Sequence, residues 1–490
     1  MRQFSEQELV RREKLKEISK VCNPYPERYE VTHSLKEAST LPDETKGVRV
    51  AGRIVFMRKM GKLSFVRLRD IEGDLQISIK IDLVGEEKYQ FFKTLVDVGD
   101  FLGAEGEIFT THTGEKTLRV SSFEFLGKAL KPLPEKFHGV TDPELCYRER
   151  YLDLIMNEET RKRFLMKYEF IKEIRRYLED KGYIEIETPV LSNKASGALA
   201  KPFIAHHNAL DMDVYLRIAP ETYLKRAIVG GFTKVFEFAR CFRNEGIDST
   251  HLQDFTMLEG YGAYLNYQDN MKLMEDMLKT VIQKVFGSLQ VKIGDKTIDF
   301  SKKWEQVSFR DVLLKYVDID ILEFNDKEKL LNEIKRRGIT LDTDADLDTI
   351  GYGNLIDVLY KKVARPYMIE PVFLTEHPIA LSPLARANDE NKEITDRFQL
   401  VINGAEIING YSELVDPQEQ ERRLEEQARL KSDGDEEAMM MDMDYIEAME
   451  VGMPPISGWG IGIDRVVQVL TDTPNIKDNV LFPLMRPEDK

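Results

Sequence analysis

An apolar stretch that ends in a guanidinium, an amide and a carboxylate is the strongest chemical signal in this sequence. The stretch "KVFEFARCF" (234–242) predicts a buried strand, and Arg243, Asn244 and Glu245 follow it directly. Arginine presents a planar fork of donors that matches phosphate or carboxylate oxygens. The segment therefore predicts an anion-binding group where a strand ends.

A second strand, "FTMLEGYGAY", follows after a loop that contains His251. Strand alternation places four of its side chains on one face: Phe255, Met257, Glu259 and Tyr261. A phenylalanine face can stack on a base, and carboxylates beside a phenol suit an ammonium group. An ion-paired sheet with one polar face is the alternative, and it is favoured when the hairpin is taken alone.

The segment "SGWGIGIDRVVQVL" places three alternating glycines, Gly458, Gly460 and Gly462, on one face of a predicted strand. Bare backbone there leaves room for a flat ligand. We expect Asp464 to cap the following helix, which puts Arg465 in its first turn, near the positive end of the helix dipole. An arginine in that position is suited to a phosphate.

A third segment, "RFQLVINGAEIINGYSEL", predicts a hairpin about Asn403–Gly404. A two-residue turn makes Gln399 a diagonal neighbour of Glu406 on the same face. Two oxygen-bearing side chains can hold Mg²⁺ beside a triphosphate, although a surface polar pair explains this segment equally well. Asn409 and Glu413 follow, and we expect them to face the same cavity.

The elements that position these residues fall into four parts. Residues 1–45 predict a charged helix and a turn-rich stretch, and 46–130 predict five short strands, which suit a closed barrel such as the OB-fold. Prolines and lysines make 131–150 a linker candidate. Residues 151–490 begin with an amphipathic helix and then mix long antiparallel strands with helices, so the fold class is α+β.

The charge distribution points to a polyanionic partner. The formal net charge of the 490 residues is -16, yet Arg49–Asp70 holds seven Lys or Arg and one Asp. A basic segment in an acidic protein indicates a polyanion, and a solvated sheet face is an even alternative. No apolar run is long enough for a bilayer, and the charged N-terminus is not a secretory signal. The three cysteines, Cys22, Cys146 and Cys241, lie far apart, which suits a reducing cytosol. We therefore expect a cytoplasmic protein with no membrane partner.

The chain resembles the class II lysyl-tRNA synthetase family along nearly its whole length. "GYIEIETPV" resembles motif 1, the dimer-interface segment, "FRNEGIDSTHLQDFTMLEGY" resembles motif 2, and "GWGIGIDR" resembles motif 3. "KPFIAHHNALDMDVYLRIAPETYLKRAIVGGF" and "NGYSEL" point to the lysine member rather than its aspartate and asparagine relatives. The resemblance implies an anticodon-binding OB-fold barrel and a catalytic domain built on an antiparallel sheet flanked by helices. It also implies ATP, L-lysine and tRNA-Lys as substrates, Mg²⁺ as cofactor, and a homodimer.

The resemblance further implies a role for individual residues. Arg243 and Arg465 carry catalysis, Arg243 at the α-phosphate and Arg465 at the far end of ATP. The implied ATP-binding residues are Arg243, Glu245, His251, Phe255, Glu406 and Arg465. The implied lysine-binding residues are Gly197, Glu221, Arg243, Glu259, Tyr261, Asn409 and Glu413. The implied anticodon-binding residues are Phe65, Gln76 and Glu124. The implied metal ligands are Glu406 and Gln399.

Some positions depart from the family pattern. Gln399 stands where the family usually has a metal-binding Glu, so we expect weaker Mg²⁺ binding with Glu406 as the main protein ligand. The other departures are Ser196, Leu199, Lys201, Gln253 and Asp254.

Three rival functions stay open at this point. Another synthetase of the subgroup, for aspartate or asparagine, requires a cation where Glu259 and Glu413 are placed. A catalytically weak paralogue with an RNA-binding or regulatory role is supported by Gln399 alone. A relative that lysylates elongation factor P lacks the N-terminal barrel that is predicted here.

Overall fold

The chain folds into two compact units, Met1–Arg161 and Lys162–Lys490. The structure is a computed structural model that describes residues 3–134, 140–198, 200–341, 347, 350–432 and 439–488. Part of the predicted linker, residues 135–139, and the departing residue Leu199 lie outside the described residues. Each unit has hydrophobic clusters of its own and is described by itself.

The first unit is built around a closed five-stranded barrel with strand order β1-β2-β3-β5-β4. Its strands are β1 (Val48–Met60), β2 (Leu63–Arg69), β3 (Asp74–Lys80), β4 (Phe101–Thr110) and β5 (Lys116–Gly127). Its helices are α1 (Glu6–Val21), α2 (Leu35–Ala38), α3 (Ile81–Val84), α4 (Glu86–Leu95), α5 (Pro143–Arg148) and α6 (Arg150–Met156). This is the OB-fold topology predicted from the sequence.

Alternation along the barrel strands creates the core of this unit. In β2 every second residue is buried, and Val66 and Leu68 face the interior with Ile77 and Ile79 of β3. The side chains between them point outward. The barrel therefore leaves its outer surface to polar and aromatic side chains.

The second unit is built on an eight-stranded sheet with order β14-β15-β16-β17-β18-β11-β10-β6, whose inner pairs are antiparallel. The sheet strands are β6 (Ile184–Glu185), β10 (Lys234–Phe242), β11 (Asp254–Ala263), β14 (Glu305–Ser308), β15 (Val372–Pro378), β16 (Ile394–Ile402), β17 (Ala405–Ser412) and β18 (Ile456–Gly462). The smaller sheets contain β7 (Leu191–Ser192), β8 (Ile204–His207), β9 (Met212–Leu216), β12 (Gln290–Ile293) and β13 (Lys296–Asp299).

Helices flank this sheet, and most of α7 belongs to the second unit. They are α7 (Glu158–Asp180), α8 (Glu221–Val229), α9 (Tyr267–Phe286), α10 (Phe309–Val317), α11 (Lys327–Arg336), α12 (Tyr352–Val363), α13 (Pro417–Ser432), α14 (Met443–Glu450) and α15 (Ile463–Leu470). The largest cluster packs α7, α9 and α15 against the central strands through side chains such as Ile174, Leu278 and Val467.

Both predicted hairpins form. Strand β10 pairs with β11, and a two-residue turn at Asn403–Gly404 places Val401 of β16 opposite Glu406 of β17, after which a β-bulge shifts the register. Strand β11 also pairs with β18, with Glu259 opposite Gly460 and Tyr261 opposite Gly458. The carboxylate and glycine strands therefore lie side by side in the middle of the sheet.

The motif 1 segment contributes a strand of only two residues, Ile184–Glu185, which pairs with β10. One local prediction is wrong. Bare backbone at Gly458 is not available to a flat ligand. A Cβ there would lie 2.2 Å from the Tyr261 ring and 2.6 Å from Glu413 Oε1, so these two side chains fill the space.

Candidate active site

One cavity of about 380 Å³ opens over the central strands of the second unit. Its size is within the range of small-molecule sites. Its walls include side chains from β11, β17, β18 and the first turns of α8 and α15. The thirteen predicted ATP, lysine and metal residues all line it: Gly197, Glu221, Arg243, Glu245, His251, Phe255, Glu259, Tyr261, Gln399, Glu406, Asn409, Glu413 and Arg465.

Two guanidinium groups from separate segments converge on this cavity, as predicted. Arg243 follows the end of β10, where its backbone N–H donates to the Gln253 carbonyl at 2.9 Å, and its guanidinium lies 5.1 Å from the Phe255 ring centroid. Arg465 donates to the Glu406 carbonyl at 3.4 Å. Burial lowers the pKa of Arg465; the Glu406 carboxylate opposes this shift, and the charge of Arg243 adds to it. Such a pair of cations favours a bound polyanion.

The predicted helix cap at Asp464 is wrong. Helix α15 begins at Ile463 with Gly462 as its N-cap residue, so Asp464 lies inside the first turn. Its carboxylate accepts from the Thr256 backbone N–H at 2.9 Å and from Lys167 Nζ at 2.6 Å. Asp464 therefore joins α15 to β11 and α7, and this contact fixes the helix that carries Arg465.

The opposite end of the cavity is acidic. Glu221, Glu259 and Glu413 are all buried and line it. Tyr261 donates to Glu259 Oε2 at 3.0 Å, and Tyr411 donates to Glu221 Oε1 at 2.7 Å. Burial, followed by the nearby charge of Glu221, raises the pKa of Glu259 to about 8. A buried carboxyl group of this kind is matched by an incoming ammonium group. These three glutamates and two tyrosines are called the acidic pocket below.

Two further residues shape the ends of the acidic pocket. Gly197 has φ +88, and a Cβ there would lie 3.0 Å from Glu221 Cβ, so only glycine allows this close approach. Asn409 Oδ1 accepts from Arg397 Nε at 2.8 Å. That bond uses the amide oxygen and leaves the Asn409 Nδ2 donors for an anion such as a substrate carboxylate.

Gln399 and Glu406 form the predicted same-face pair. Gln399 Nε2 donates to Glu406 Oε2 at 3.0 Å, while Gln399 Oε1 is buried and has no hydrogen-bond partner among the described residues. An unused amide oxygen beside a carboxylate is a donor set that suits a hard divalent cation. Within the described part of the chain, no group of three or more His, Cys, Asp or Glu could hold a metal. The pair therefore suits a cation that also takes oxygens from a bound phosphate.

Comparisons with known proteins agree with this geometry. A family model described as class II tRNA synthetases (D, K and N) matches residues 142–486, and an OB-fold nucleic acid binding domain model matches residues 48–126. A lysine–tRNA ligase of Thermosipho africanus is 44% identical over 99% of this chain and 97% of its own length. The chain belongs to the class II lysine–tRNA ligase family. Others of similar likeness come from Bacillus cytotoxicus (43% identical, 99% and 98% covered) and Nitrosomonas europaea (45% identical, 98% and 96% covered).

The barrel of this family member brings together two of its three predicted anticodon residues. Phe65 pairs with Ser78 on β3, so Gln76 is its diagonal neighbour on the outer face. Glu124 lies apart from them, seven residues beyond the Gln76 partner Thr117 on β5. The carboxylate beside the pair belongs instead to Glu115, which accepts from Arg67 Nη2 at 2.6 Å. Arg67 is directly opposite Gln76 in the sheet.

Three residues that no sequence pattern singled out, Lys225, Tyr411 and Arg397, contact predicted residues of the cavity. Lys225 forms ion pairs with both Glu221 and Glu413. The pair with Glu221 could have been predicted, because the two residues have (i, i+4) spacing on a helix. Arg397 of β16 and Tyr411 of β17 lie opposite each other in the register, and each is two residues from a predicted site residue on its own strand, Gln399 and Asn409. In the described part of this family member, no helix is long and apolar enough to cross a membrane.

Proposed function

We propose that this protein activates L-lysine with ATP to form lysyl-adenylate and transfers the lysyl group to the 3′ end of tRNA-Lys. The observation that carries the proposal is one cavity with two arginines at one end and three buried glutamates at the other. Nucleotide phosphates match the first end and an amine side chain matches the second. The chain matches lysine–tRNA ligases over nearly their whole length, which supports the same activity.

In the first step the lysine carboxylate attacks the α-phosphorus of ATP in line, and pyrophosphate leaves. Arg243 holds the attacking carboxylate and the α-phosphate, and Arg465 holds the far end of the nucleotide. Phe255 lies beside Arg243, where its ring can stack on adenine. The mechanism needs no side-chain nucleophile, because phosphoryl-group chemistry depends mainly on positioning and charge stabilisation. In the second step a terminal ribose hydroxyl of the tRNA takes the lysyl group and AMP leaves.

Lysine selection depends on the acidic pocket. Glu259, Tyr261 and Glu413 receive the ε-ammonium group, Glu221 and the Gly197 backbone receive the α-ammonium group, and Asn409 Nδ2 receives the carboxylate. An aspartate side chain would bring a carboxylate towards three buried glutamates, and like charges at that distance cost several kcal/mol, on the order of 3–5. Lys225 does not reverse this sign, because it is already shared by two of the three glutamates.

The decisive experiment is ATP–pyrophosphate exchange with each amino acid in turn, followed by charging of tRNA with anticodon variants. We expect exchange with L-lysine and no comparable exchange with aspartate or asparagine. Exchange that depends on aspartate or asparagine would replace the proposal with one of its rivals. No exchange with any amino acid would favour a binding or regulatory protein.

Mg²⁺ would be held by Glu406 and Gln399 next to the phosphates of ATP. When bound, it supplies positive charge that stabilises the leaving pyrophosphate. Gln399 contributes a neutral oxygen where a second carboxylate would bind the cation more tightly.

Replacing Gln399 with Glu is expected to lower the Mg²⁺ concentration for half-maximal exchange by roughly tenfold, because the substitution adds a charge beside the Glu406 carboxylate. A Mg²⁺ titration of exchange at saturating ATP and lysine measures it. Gln418→Glu, an exposed substitution on α13, adds the same charge away from the cavity and is the control. Equal activation curves for Gln399→Glu and the wild type would remove Gln399 from the metal site.

We also propose that the outer barrel face around Phe65, Gln76, Arg67 and Glu115 binds the anticodon. An aromatic ring beside polar groups that can contact base edges is a common way to recognise unpaired RNA bases. Glu124 lies opposite Gly103 of β4 in the β4–β5 ladder. It can contact the anticodon only if the bound RNA extends along β5 to that position.

Replacing Phe65 with Ala is expected to raise the KM for tRNA-Lys by about 5- to 100-fold, since one stacked base is worth about 1–3 kcal/mol. Lysine-dependent ATP–pyrophosphate exchange, which needs no tRNA, stays unchanged. Phe101→Ala removes an exposed aromatic ring from β4 of the barrel, whereas Phe65 is half-buried, and serves as the control. A fall in exchange for Phe65→Ala would point to a folding defect, and an unchanged tRNA KM would exclude the stacking role.

The quaternary state and location follow from the same activity. We propose a homodimer, on the basis of the motif 1 resemblance of residues 182–190, and a cytoplasmic location, because charged tRNA is consumed by ribosomes there. Light scattering at micromolar concentration tests the dimer, and a mass equal to one chain of 56.8 kDa would contradict it.

A further inference from the structure

Lys225 is a fully buried cation next to the lysine pocket. It lies on α8, one helical turn after Glu221, and its side chain has no solvent exposure. Its Nζ donates to Glu221 Oε1 at 2.5 Å and also contacts Glu413 Oε2. Both carboxylates line the cavity, whereas Lys225 lies behind them. The ammonium group therefore joins two pocket walls from the side that substrate does not reach.

Aromatic rings complete the surroundings of this ammonium group. The ring centroids of Tyr261, Tyr411 and Tyr445 lie 5.8, 5.6 and 5.7 Å from Lys225 Nζ. Such rings attract a cation through their faces. Burial lowers the pKa of Lys225, but Glu221 and Glu413 outweigh it and raise the pKa well above the ordinary value. Lys225 is therefore charged throughout the physiological pH range.

Stability alone does not explain a charge at this position. A buried ion pair is often no more stable than well-packed apolar side chains of similar volume. The way Lys225 uses its partners is more informative. It takes one oxygen from each glutamate, and Glu413 Oε1 has no hydrogen-bond partner among the described residues although it is buried. Lys225 thus fixes each carboxylate while one oxygen of each stays available.

The charges of the acidic pocket match those of its proposed ligand. Three buried glutamates face the cavity, and Lys225 neutralises the equivalent of one. L-lysine brings two ammonium groups, and its carboxylate is matched separately by Arg243. With lysine bound, each buried carboxylate has one ammonium group. Without Lys225, one carboxylate would stay uncompensated in a site that excludes water, which is costly.

We infer that Lys225 is a positioning residue for lysine recognition: it orients Glu221 and Glu413 and leaves the acidic pocket with unmatched charge for two ammonium groups. The inference rests on the proposed lysine activation and adds a residue that does not touch the substrate. It assigns the specificity of the pocket to the carboxylates together with the cation behind them.

The test uses the full-length protein and two substitutions of Lys225. Lys225→Met keeps the length of the side chain and removes the charge. Lys225→Ala leaves a space that a small amine can enter through the cavity. Lys128→Met is the control, because Lys128 of the barrel unit is also a fully buried lysine that pairs with buried Asp100. Exchange kinetics for lysine and ATP, and the melting temperature, are measured for each.

We expect Lys225→Met to raise the KM for lysine by about 10- to 100-fold while kcat and the KM for ATP change by less than about threefold. Lys128→Met lowers the melting temperature without changing the KM for lysine. In Lys225→Ala, n-propylammonium restores at least about tenfold of the lost kcat/KM for lysine, whereas n-propanol of the same size does not.

Several outcomes would overturn the inference. An unchanged KM for lysine in Lys225→Met would do so, and so would equal rescue by amine and alcohol, which would indicate that only volume matters. If both variants fail to fold, Lys225→Gln is used instead, because it keeps hydrogen-bond donors for the two glutamates without the charge. A KM for lysine equal to that of the wild type in Lys225→Gln would also contradict the inference. Absence of lysine-dependent exchange in the wild type would instead contradict the proposed function itself.

Discussion

Replacing Glu259 with Gln is expected to lower kcat/KM for L-lysine by about 10²- to 10³-fold in ATP–pyrophosphate exchange. The reason is the desolvation of the ε-ammonium group, which a neutral amide cannot offset; breaking a buried ion pair costs about 3–5 kcal/mol. Glu413 remains, but Lys225 already shares its charge, so it cannot replace the lost carboxylate. The KM for ATP should change by less than about threefold, since Arg243 and Arg465 are untouched.

A matched control is available on the neighbouring strand. Glu237 lies directly opposite Glu259 in the β10–β11 register, is also buried, and pairs with Arg217 at 2.6 Å, but it does not line the cavity. Glu237→Gln should lower the melting temperature and leave the KM for lysine unchanged. Equal losses for lysine and ATP in Glu259→Gln would count against the pocket assignment.

The same carboxyl group predicts a pH dependence. Burial, followed by the charge of Glu221, raises the pKa of Glu259 to about 8 from 4.5. Between these values the folded protein holds a proton that the unfolded chain has lost, so this group's contribution to the free energy of unfolding falls as pH rises. Lysine binds the ionised carboxylate, so its affinity rises towards pH 8 by up to about tenfold per pH unit. Calorimetric titration should show a steeper slope in the wild type than in Glu259→Gln, in which Glu413, whose pKa is also raised by burial, remains.

Replacing Arg465 with Met is expected to lower kcat/KM for ATP by about 10³-fold, because a preorganised cation in a water-excluded site stabilises charge that develops on the leaving phosphates. Lysine binding measured by calorimetry without ATP should be unchanged, since Arg465 lies at the end of the cavity away from the acidic pocket. Arg243→Met should weaken both substrates, because Arg243 is placed to hold a phosphate and the lysine carboxylate together.

An exposed arginine provides the control for this experiment. Arg240 of β10 is exposed and pairs with Asp254 and Thr256 rather than with the cavity. Arg240→Met should change exchange by less than about fivefold, in line with the small worth of surface ion pairs. If Arg465→Met weakens lysine binding as strongly as it weakens ATP, the division of the cavity into two ends is wrong.

Local patterns predicted the parts of this site that depend on strand geometry. The Asn403–Gly404 turn fixes the β16–β17 register, so the contact between Gln399 and Glu406 follows from spacing alone. Period-two alternation likewise places Glu259 and Tyr261 on one face of the sheet, the face on which Gly458 and Gly460 of the neighbouring strand have no side chain. In both cases the residues are close in sequence, and the backbone determines where their side chains point.

Contacts between distant segments could not be predicted in the same way. Asp464 looked like a helix cap, but its carboxylate binds Lys167, which is 297 residues away in sequence. The helix spacing of Glu221 and Lys225 can be read from the sequence. The second partner of the buried Lys225 is Glu413, which directly follows β17 and lies far from Lys225 in sequence. On the barrel, Glu115 lies in the loop just before β5, and only its ion pair with Arg67 shows that it lies beside Phe65 and Gln76.

The close packing at Gly458 fixes the depth of the acidic pocket. Because the Tyr261 ring and Glu413 Oε1 rest directly against main-chain atoms there, the side chains that form the pocket floor are supported by backbone, which has no rotamers to adjust. Discrimination between amines that differ by one methylene is then a matter of fixed length. Engineering towards a shorter diamino acid would have to move the substrate carboxylate anchor at Asn409, since the floor itself cannot be raised by even a methyl group without displacing both side chains.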